Sequence, residues 1–238
     1  MSNGIYAATA GAVAQSQALD TTANNIANAT TAGFRGDRVT FREALATARS
    51  ADLNEVSIAS TRVDAQAGAL TTTENPLDLA LDGDGYFGIQ TPSGPRYTRA
   101  GNFQLDAQRT LVTPEGFAVR SDGGGTITIP DDAKQIGVGI DGTVSADGTE
   151  LGKIELAQFA PAQITREGNT LFAATGRPTT SGDPPKVRSG MLEASNVNIV
   201  RGVVDLVKVT RVYESLMRMI QNYHDVESRA ARELSAPK

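Results

Sequence analysis

The 238-residue chain has no cysteine, no tryptophan and one histidine, His224, and only 5% of its residues are aromatic. Without cysteine there is no disulfide, thiolate nucleophile, iron–sulfur cluster or cysteine-ligated zinc. A single histidine excludes a multi-histidine metal centre, so neither a metal nor a cofactor is expected. No run approaches the ~20 apolar residues of a membrane-spanning helix, and direct membrane insertion is not expected. The N-terminal Met1-Ser-Asn-Gly-Ile-Tyr-Ala-Ala stretch lacks the basic region and leucine-rich run of a secretory signal, so no cleavable signal peptide is expected. Basic residues are also few, 22 against 27 acidic ones, for a formal charge of -5. That balance argues against a nucleic-acid partner, which needs clustered Lys and Arg facing phosphates.

Helix breakers are distributed unevenly. Residues 68–190 hold 19 of the 24 glycines and nine of the ten prolines, with turn signals such as Asp141-Gly142, Asp147-Gly148 and Pro92-Ser-Gly-Pro95. Strand-like runs recur between these turns: Leu77–Leu81, Tyr86–Gln90, Arg96–Arg99, Phe103–Asp106, Phe117–Arg120, Thr126–Ile129, Ile136–Ile140, Thr143–Ser145 and Lys153–Phe159. The expected fold class is therefore α+β: an all-β central lobe, a small sandwich or irregular barrel, flanked by N- and C-terminal helices. Four segments follow: 1–36, an N-terminal helix and loop; 37–67, a connecting segment that is either a strand pair or a loop; 68–190, the β-rich lobe; and 191–238, the C-terminal helix. Residues 51–196 carry a net charge of -8 and the two flanks together +3, so contacts between copies are expected at the flanks.

The N-terminal flank repeats Ile5, Ala12, Leu19 and Ile26 at a spacing of seven. The C-terminal flank places Ile199, Val203, Leu206, Thr210, Tyr213, Met217 and Ile220 in a 4-3 rhythm that gives a helix one narrow apolar stripe. Asn198 is placed to cap that helix. Six buried stripe residues at roughly 2 kcal/mol each, even with backbone hydrogen bonds added, barely balance the ordering of some thirty residues. Such helices need partners, first each other and then other chains.

Several motifs have dull explanations. Gly83-Asp-Gly-Tyr-Phe-Gly88 has the letters of a dinucleotide fingerprint, but a strand follows where a helix is required, and a tight turn with positive-φ glycines explains it better. Asp82 and Asp84 flank Gly83 without the further ligands of a calcium loop. His224 has no nucleophile elbow to serve and is expected on a helix face near an interface. Ala23-Asn-Asn-Ile-Ala-Asn-Ala-Thr-Thr-Ala-Gly-Phe34 resists such treatment. Three asparagines near a helix end each cost several tenths of a kcal/mol in propensity. Capping with Gly33 as terminator accounts for Asn28 but hardly for all three. Asn24 and Asn28 share a face and are placed to bond a neighbouring chain, with Phe34 as an apolar plug beyond the helix.

This stretch resembles the N-terminal signature of the bacterial flagellar axial family of rod and hook proteins. Gly83-Asp-Gly-Tyr-Phe87 and Tyr97-Thr-Arg-Ala-Gly-Asn-Phe103 resemble its central motifs, and Gly190-Met-Leu-Glu-Ala-Ser-Asn-Val-Asn198 its C-terminal one. The likeness is nearer to proximal-rod than to distal-rod members, which usually carry a longer insertion after the first helix. The resemblance implies a structural, non-enzymatic subunit whose terminal helices pair, coiled-coil-like, into the wall of a hollow drive shaft, with the acidic lobe outward. It implies export through a type III apparatus, residence in the basal-body rod within the periplasm, and ends that fold on assembly. The implied partners are copies of itself and related proximal- and distal-rod subunits. The implied assembly residues are Ile5, Ala12, Leu19, Asn24, Asn25, Ile26, Asn28, Phe34, Asn196, Asn198, Ile199, Val203, Leu206, Tyr213, Met217 and Ile220. The alternatives are a distal-rod or other axial paralogue, a module that docks on the rod, and a peptidoglycan hydrolase working through Asp82 or Asp84.

Overall fold

The computed structural model describes residues 2–40, 60–168, 170–179 and 184–235. The fold class is α+β, as expected: two helices, α1 (Ser2–Ala27) and α2 (Ile199–Ser235), and a body of short strands between them. Two compact units are present. One comprises Met1–Ala27, Asp37–Asp64 and Asn198–Lys238, and the other Asn28–Gly36 and Ala65–Val197.

In the first unit α1 and α2 pack together, and the strands Asp37–Thr40 and Ser60–Val63 form an antiparallel pair in which Asp37 faces Val63. A strand pair is thus what lies between Gly36 and Gly68, with residues 41–59 outside the described ones. Arg38 closes the pair with an ion pair to Asp64 at 2.6 Å.

The second unit is an antiparallel β body. Its largest sheet runs Ile164–Arg166, Leu171–Ala174, Gly94–Thr98, Tyr86–Thr91, Ala118–Val119, Leu111–Val112, Gln104–Leu105, with Leu156–Ala157 also paired to Tyr86–Thr91. Three smaller sheets surround it, including Leu79–Asp82 with Lys186–Ser189 and Leu70–Thr72 with Met191–Glu193. The core gathers Leu79, Leu81, Phe87, Ile89, Phe103, Leu111, Val119, Ile127, Val144, Ile154 and Val187. Phe87 meets Phe103 edge to face at 5.2 Å between centroids, the arrangement that ring quadrupoles favour.

Three strand expectations need correction. Leu77–Leu81 alternates in sequence as a half-buried strand, yet Leu79, Ala80 and Leu81 are all buried, because Ala80 is small enough to be covered on its own side. Thr126–Ile129 forms no strand. It buries Ile127 and Ile129 through single bridges to Arg120 and Thr110. Lys153–Phe159 divides into the ends of two strands, Thr149–Lys153 and Leu156–Ala157.

Glycine placement follows from close approaches. Gly101 accepts the Leu79 and Phe103 amides on its carbonyl, both at 2.9 Å, and a β-carbon there would overlap the Leu79 carbonyl oxygen. Gly101→Ala is expected to destabilise the β body by about 3 kcal/mol through backbone displacement, measured as a lowered urea midpoint in tyrosine fluorescence.

Candidate assembly interface

The helix pair is antiparallel. A β-carbon on Gly4 would lie 2.8 Å from the Tyr223 hydroxyl, one on Gly11 3.4 Å from Leu216 Cδ1, and one on Gly202 2.9 Å from Ile26 Cγ1. The seam of α1 is therefore Gly4, Ala8, Gly11, Gln15, Ala18, Thr22 and Asn25, a 4-3 rhythm of mostly small residues. Ala8, Ala12, Ala14 and Ala18 are buried, and Ile5, Leu19 and Ile26 are half-buried.

On α2 the half-buried face is Gly202, Leu206, Val209, Tyr213, Leu216, Ile220 and Tyr223, also in 4-3 rhythm. It shares Leu206, Tyr213 and Ile220 with the stripe expected from sequence. Val209, Leu216 and Tyr223 replace Val203, Thr210 and Met217 as the alternating members, although Thr210 stays half-buried. The cause is Gly202: a glycine carries no apolar signal, yet it is the notch that receives Ile26. Ile199, Val203 and Met217 are exposed, as is His224, whose expected interface position is taken by Tyr223. Asn198 caps α2 as expected, accepting the Arg201 amide on Oδ1 at 3.0 Å.

The asparagines divide. Asn25 makes a reciprocal pair with Asp37, donating through Nδ2 to its carbonyl and accepting its amide on Oδ1, both at 2.8 Å. Its amide is committed within its own chain and holds the start of the strand pair to α1. Asn24 is on the exposed side of α1, while Asn28 is buried just past the helix end. Gly33 does not terminate α1, which stops at Ala27. Its φ of 66° and its closeness to the Arg99–Ala100 peptide let residues 33–36 lie flat on the β body. Phe34 is 1% exposed and sits beneath the Arg166 guanidinium, 4.8 Å from the ring centroid. The ring plugs its own chain and is not presented to another.

All three later motifs meet the N-terminal signature at one buried carboxylate. Glu193, 1% exposed, accepts from Arg35 Nη2 at 3.0 Å and the Gly68 amide at 3.2 Å on Oε1, and from Arg99 Nη1 at 3.1 Å on Oε2. Arg35 also donates to the Ala65 carbonyl, and Arg99 to that of Gly83 at 2.8 Å. Backbone bonds reinforce the join: the Gly33 amide to the Glu193 carbonyl at 2.7 Å, and the Ala194 amide to Ala69 at 2.8 Å. Asn196 accepts the Gly36 amide at 2.7 Å and donates to Gln66 at 2.9 Å. A β-carbon on Gly68 would overlap the Ala194 carbonyl oxygen. Burial holds the Arg99 guanidinium below its ordinary range; the neighbouring Arg35 charge pushes the same way and Glu193 opposes both. Arg99 and Glu193 lie inside two of the motifs and Arg35 one residue beyond the N-terminal stretch, and none of the three is among the expected assembly residues. The legible signal was a charge of complementary sign set among small and apolar residues at Arg99, at Glu193 and just past Phe34.

No catalytic geometry accompanies Asp82, whose carboxylate is held by Arg188 Nη2 at 2.8 Å. Among the described residues no three His, Asp or Glu side chains converge as a metal site, and no helix is long and apolar enough to cross a membrane.

Residues 5–35 match the family model described as flagella basal body rod protein, residues 80–146 the flagellar hook protein FlgE/F/G D1 domain, and residues 188–233 the flagellar basal body rod FlgEFG protein C-terminal region. The chain is 34% identical over 244 residues to the flagellar basal-body rod protein FlgF of Caulobacter vibrioides, covering 98% of each. It is 32% identical over 225 residues to FlgF of Rhizobium meliloti, with 93% of each covered. FlgG of Bacillus subtilis is 34% identical over 237 residues, which span 87% of this chain and 90% of that one. The chain belongs to the flagellar basal-body rod protein family. Within that family it stands close to the FlgF proteins. As a flagellar rod protein it is a structural subunit and not an enzyme. The three matched ranges contain all four motifs and the junction's three charged residues, Arg35, Arg99 and Glu193, while Gly68 lies outside them.

Gly202→Leu is expected to force Ile26 away and loosen the rod protein's helix pair by about 2 kcal/mol. Far-UV circular dichroism on heating would show an earlier loss of helix, with hydrogen-exchange protection of the β-body amides Leu111 and Ile154 unchanged.

Proposed function

We propose that this chain is a proximal-rod subunit that polymerises helically through its terminal helices, with copies of itself and related rod subunits, into the hollow drive shaft. The observation that carries this is the uncovered side of α2. Ile199, Val200, Val203, Val204, Val207, Val212 and Met217 are all exposed, along a helix whose other side is already occupied by α1. Exposed apolar area of this extent on one element marks a contact surface. On α1, Tyr6 and Val13, seven apart, continue the exposed apolar character. Of the assembly residues expected from sequence, the exposed Ile199, Val203 and Met217 are those placed to reach a neighbour. Ala12, Leu206, Tyr213 and Ile220 support them from within the helix pair, which we read as a coiled-coil-like wall segment. The sheets around Phe87 form a small sandwich, and the subunit resides in the rod within the periplasm.

The second reading, a distal-rod subunit, is favoured by the equal identity to FlgG and FlgF relatives. Locating a tagged chain in isolated basal bodies separates the two: density next to the export gate supports the proximal reading, and density next to the hook overturns it.

Val203→Glu and Val207→Glu should leave the isolated chain's unfolding midpoint within about 0.5 kcal/mol of the parent while abolishing swimming in soft agar. Motility equal to the parent in both variants would overturn assembly through this side of α2.

A further inference from the structure

We infer that Glu193 makes the docking of residues 33–36 conditional on the arrival of residues 193–196, so that the N-terminal signature is completed only when nearly the whole chain is present. The junction joins segments that are far apart in sequence. Arg35 reaches Glu193 across 158 residues, Gly36 reaches Asn196 across 160, and Gly68 reaches Glu193 across 125. By contrast, one part of the core closes over short spans, the Leu111 amide bonding Ile127 and the Ile154 amide bonding Gly142, both at 2.9 Å, while Leu81 waits for Val187. Local contacts close with little loop entropy and form early, whereas long loops are closed late.

Charge strengthens this order. Before residue 193 arrives, docking the signature loop would bring the Arg35 guanidinium toward that of Arg99, and the Arg35 charge already acts against the charged form of Arg99. Arg166 adds a third cation, stacked on Phe34 and bonded to the Arg35 carbonyl. Asp84 attracts Arg99 from a distance, but Glu193 is the carboxylate that bonds both Arg35 and Arg99. Burying the pair without it would leave uncompensated charge in a dry site. The arrangement is a completion check: a chain delivered N-terminus first keeps its signature loop undocked until its C-terminal motif has followed.

The test is hydrogen exchange on the full chain. In refolding with pulse labelling, the Gly33, Gly36 and Gly68 amides should gain protection together, in a phase later than Leu111 and Ile154. At equilibrium, Glu193→Gln should speed exchange of all three by more than about tenfold and leave Leu111 and Ile154 unchanged. Only Gly68 bonds the carboxylate itself, so faster exchange at Gly68 alone would mean a lost hydrogen bond and would overturn the inference. Protection of Gly33 and Gly36 with the core during refolding would also overturn it. So would loss of core protection in Glu193→Gln, since the junction would then be inseparable from the β body.

Discussion

A single carboxylate shared by two buried arginines governs how this subunit is held together. Glu193 is almost without solvent, and so are Arg35 and Arg99. Desolvating three charges is unfavourable unless each is well bonded, and removing one partner from such a group leaves the others stranded. The backbone bonds on either side follow from that requirement. Once Glu193 is in place, Gly33, Gly68 and Ala194 are brought close enough to share amides and carbonyls, and the glycines at 33 and 68 are there because no side chain fits.

This junction gives the motifs of the rod family a common physical purpose. The Gly-Asp-Gly turn supplies the Gly83 carbonyl that receives Arg99, and Tyr86 offers its ring to the same guanidinium at 5.4 Å. Within Tyr97–Phe103, Thr98 bonds the Thr170 carbonyl, Gly101 meets Leu79 and Phe103 enters the core. Residues that invite a catalytic or ligand-binding reading are here the fittings of a structural joint. A loop fixed by buried charge and packed glycine is held to one geometry more strictly than one fixed by apolar contact alone, because hydrogen-bond geometry is directional.

Legibility in the sequence varied with the kind of interaction. The α+β class, the division by glycine and proline and the Asn198 cap were readable, since turn chemistry and capping act over a few residues. The stripe on α2 was readable to within one alternation. Leu206, Tyr213 and Ile220 belong to two overlapping rhythms, and the choice between them rests on the notch at Gly202, which apolar patterning passes over. Asn25 looked outward-reaching because its partner, the Asp37 backbone, is brought back by a turn after the helix. Phe34 looked like a plug for another chain because burial by Arg166 is a long-range event. The Glu193 junction was visible only as charges within two motifs and one just after a third, since nothing in a linear pattern states which distant charges will meet.

The unequal division of volume between the helices has a consequence of its own. Helix α1 offers hollows, Gly4 and Gly11 within a row of alanines, and α2 offers bulk, Tyr223 and Leu216, with one reversal where Gly202 admits Ile26. Two α1 helices face to face would bury little, and two α2 helices on these faces would collide. Each helix is thus matched to the unlike type, and the reversed key at Gly202 marks one position along the pair. Size alone gives the terminal helices a sense of partner and of direction, without a charge being involved.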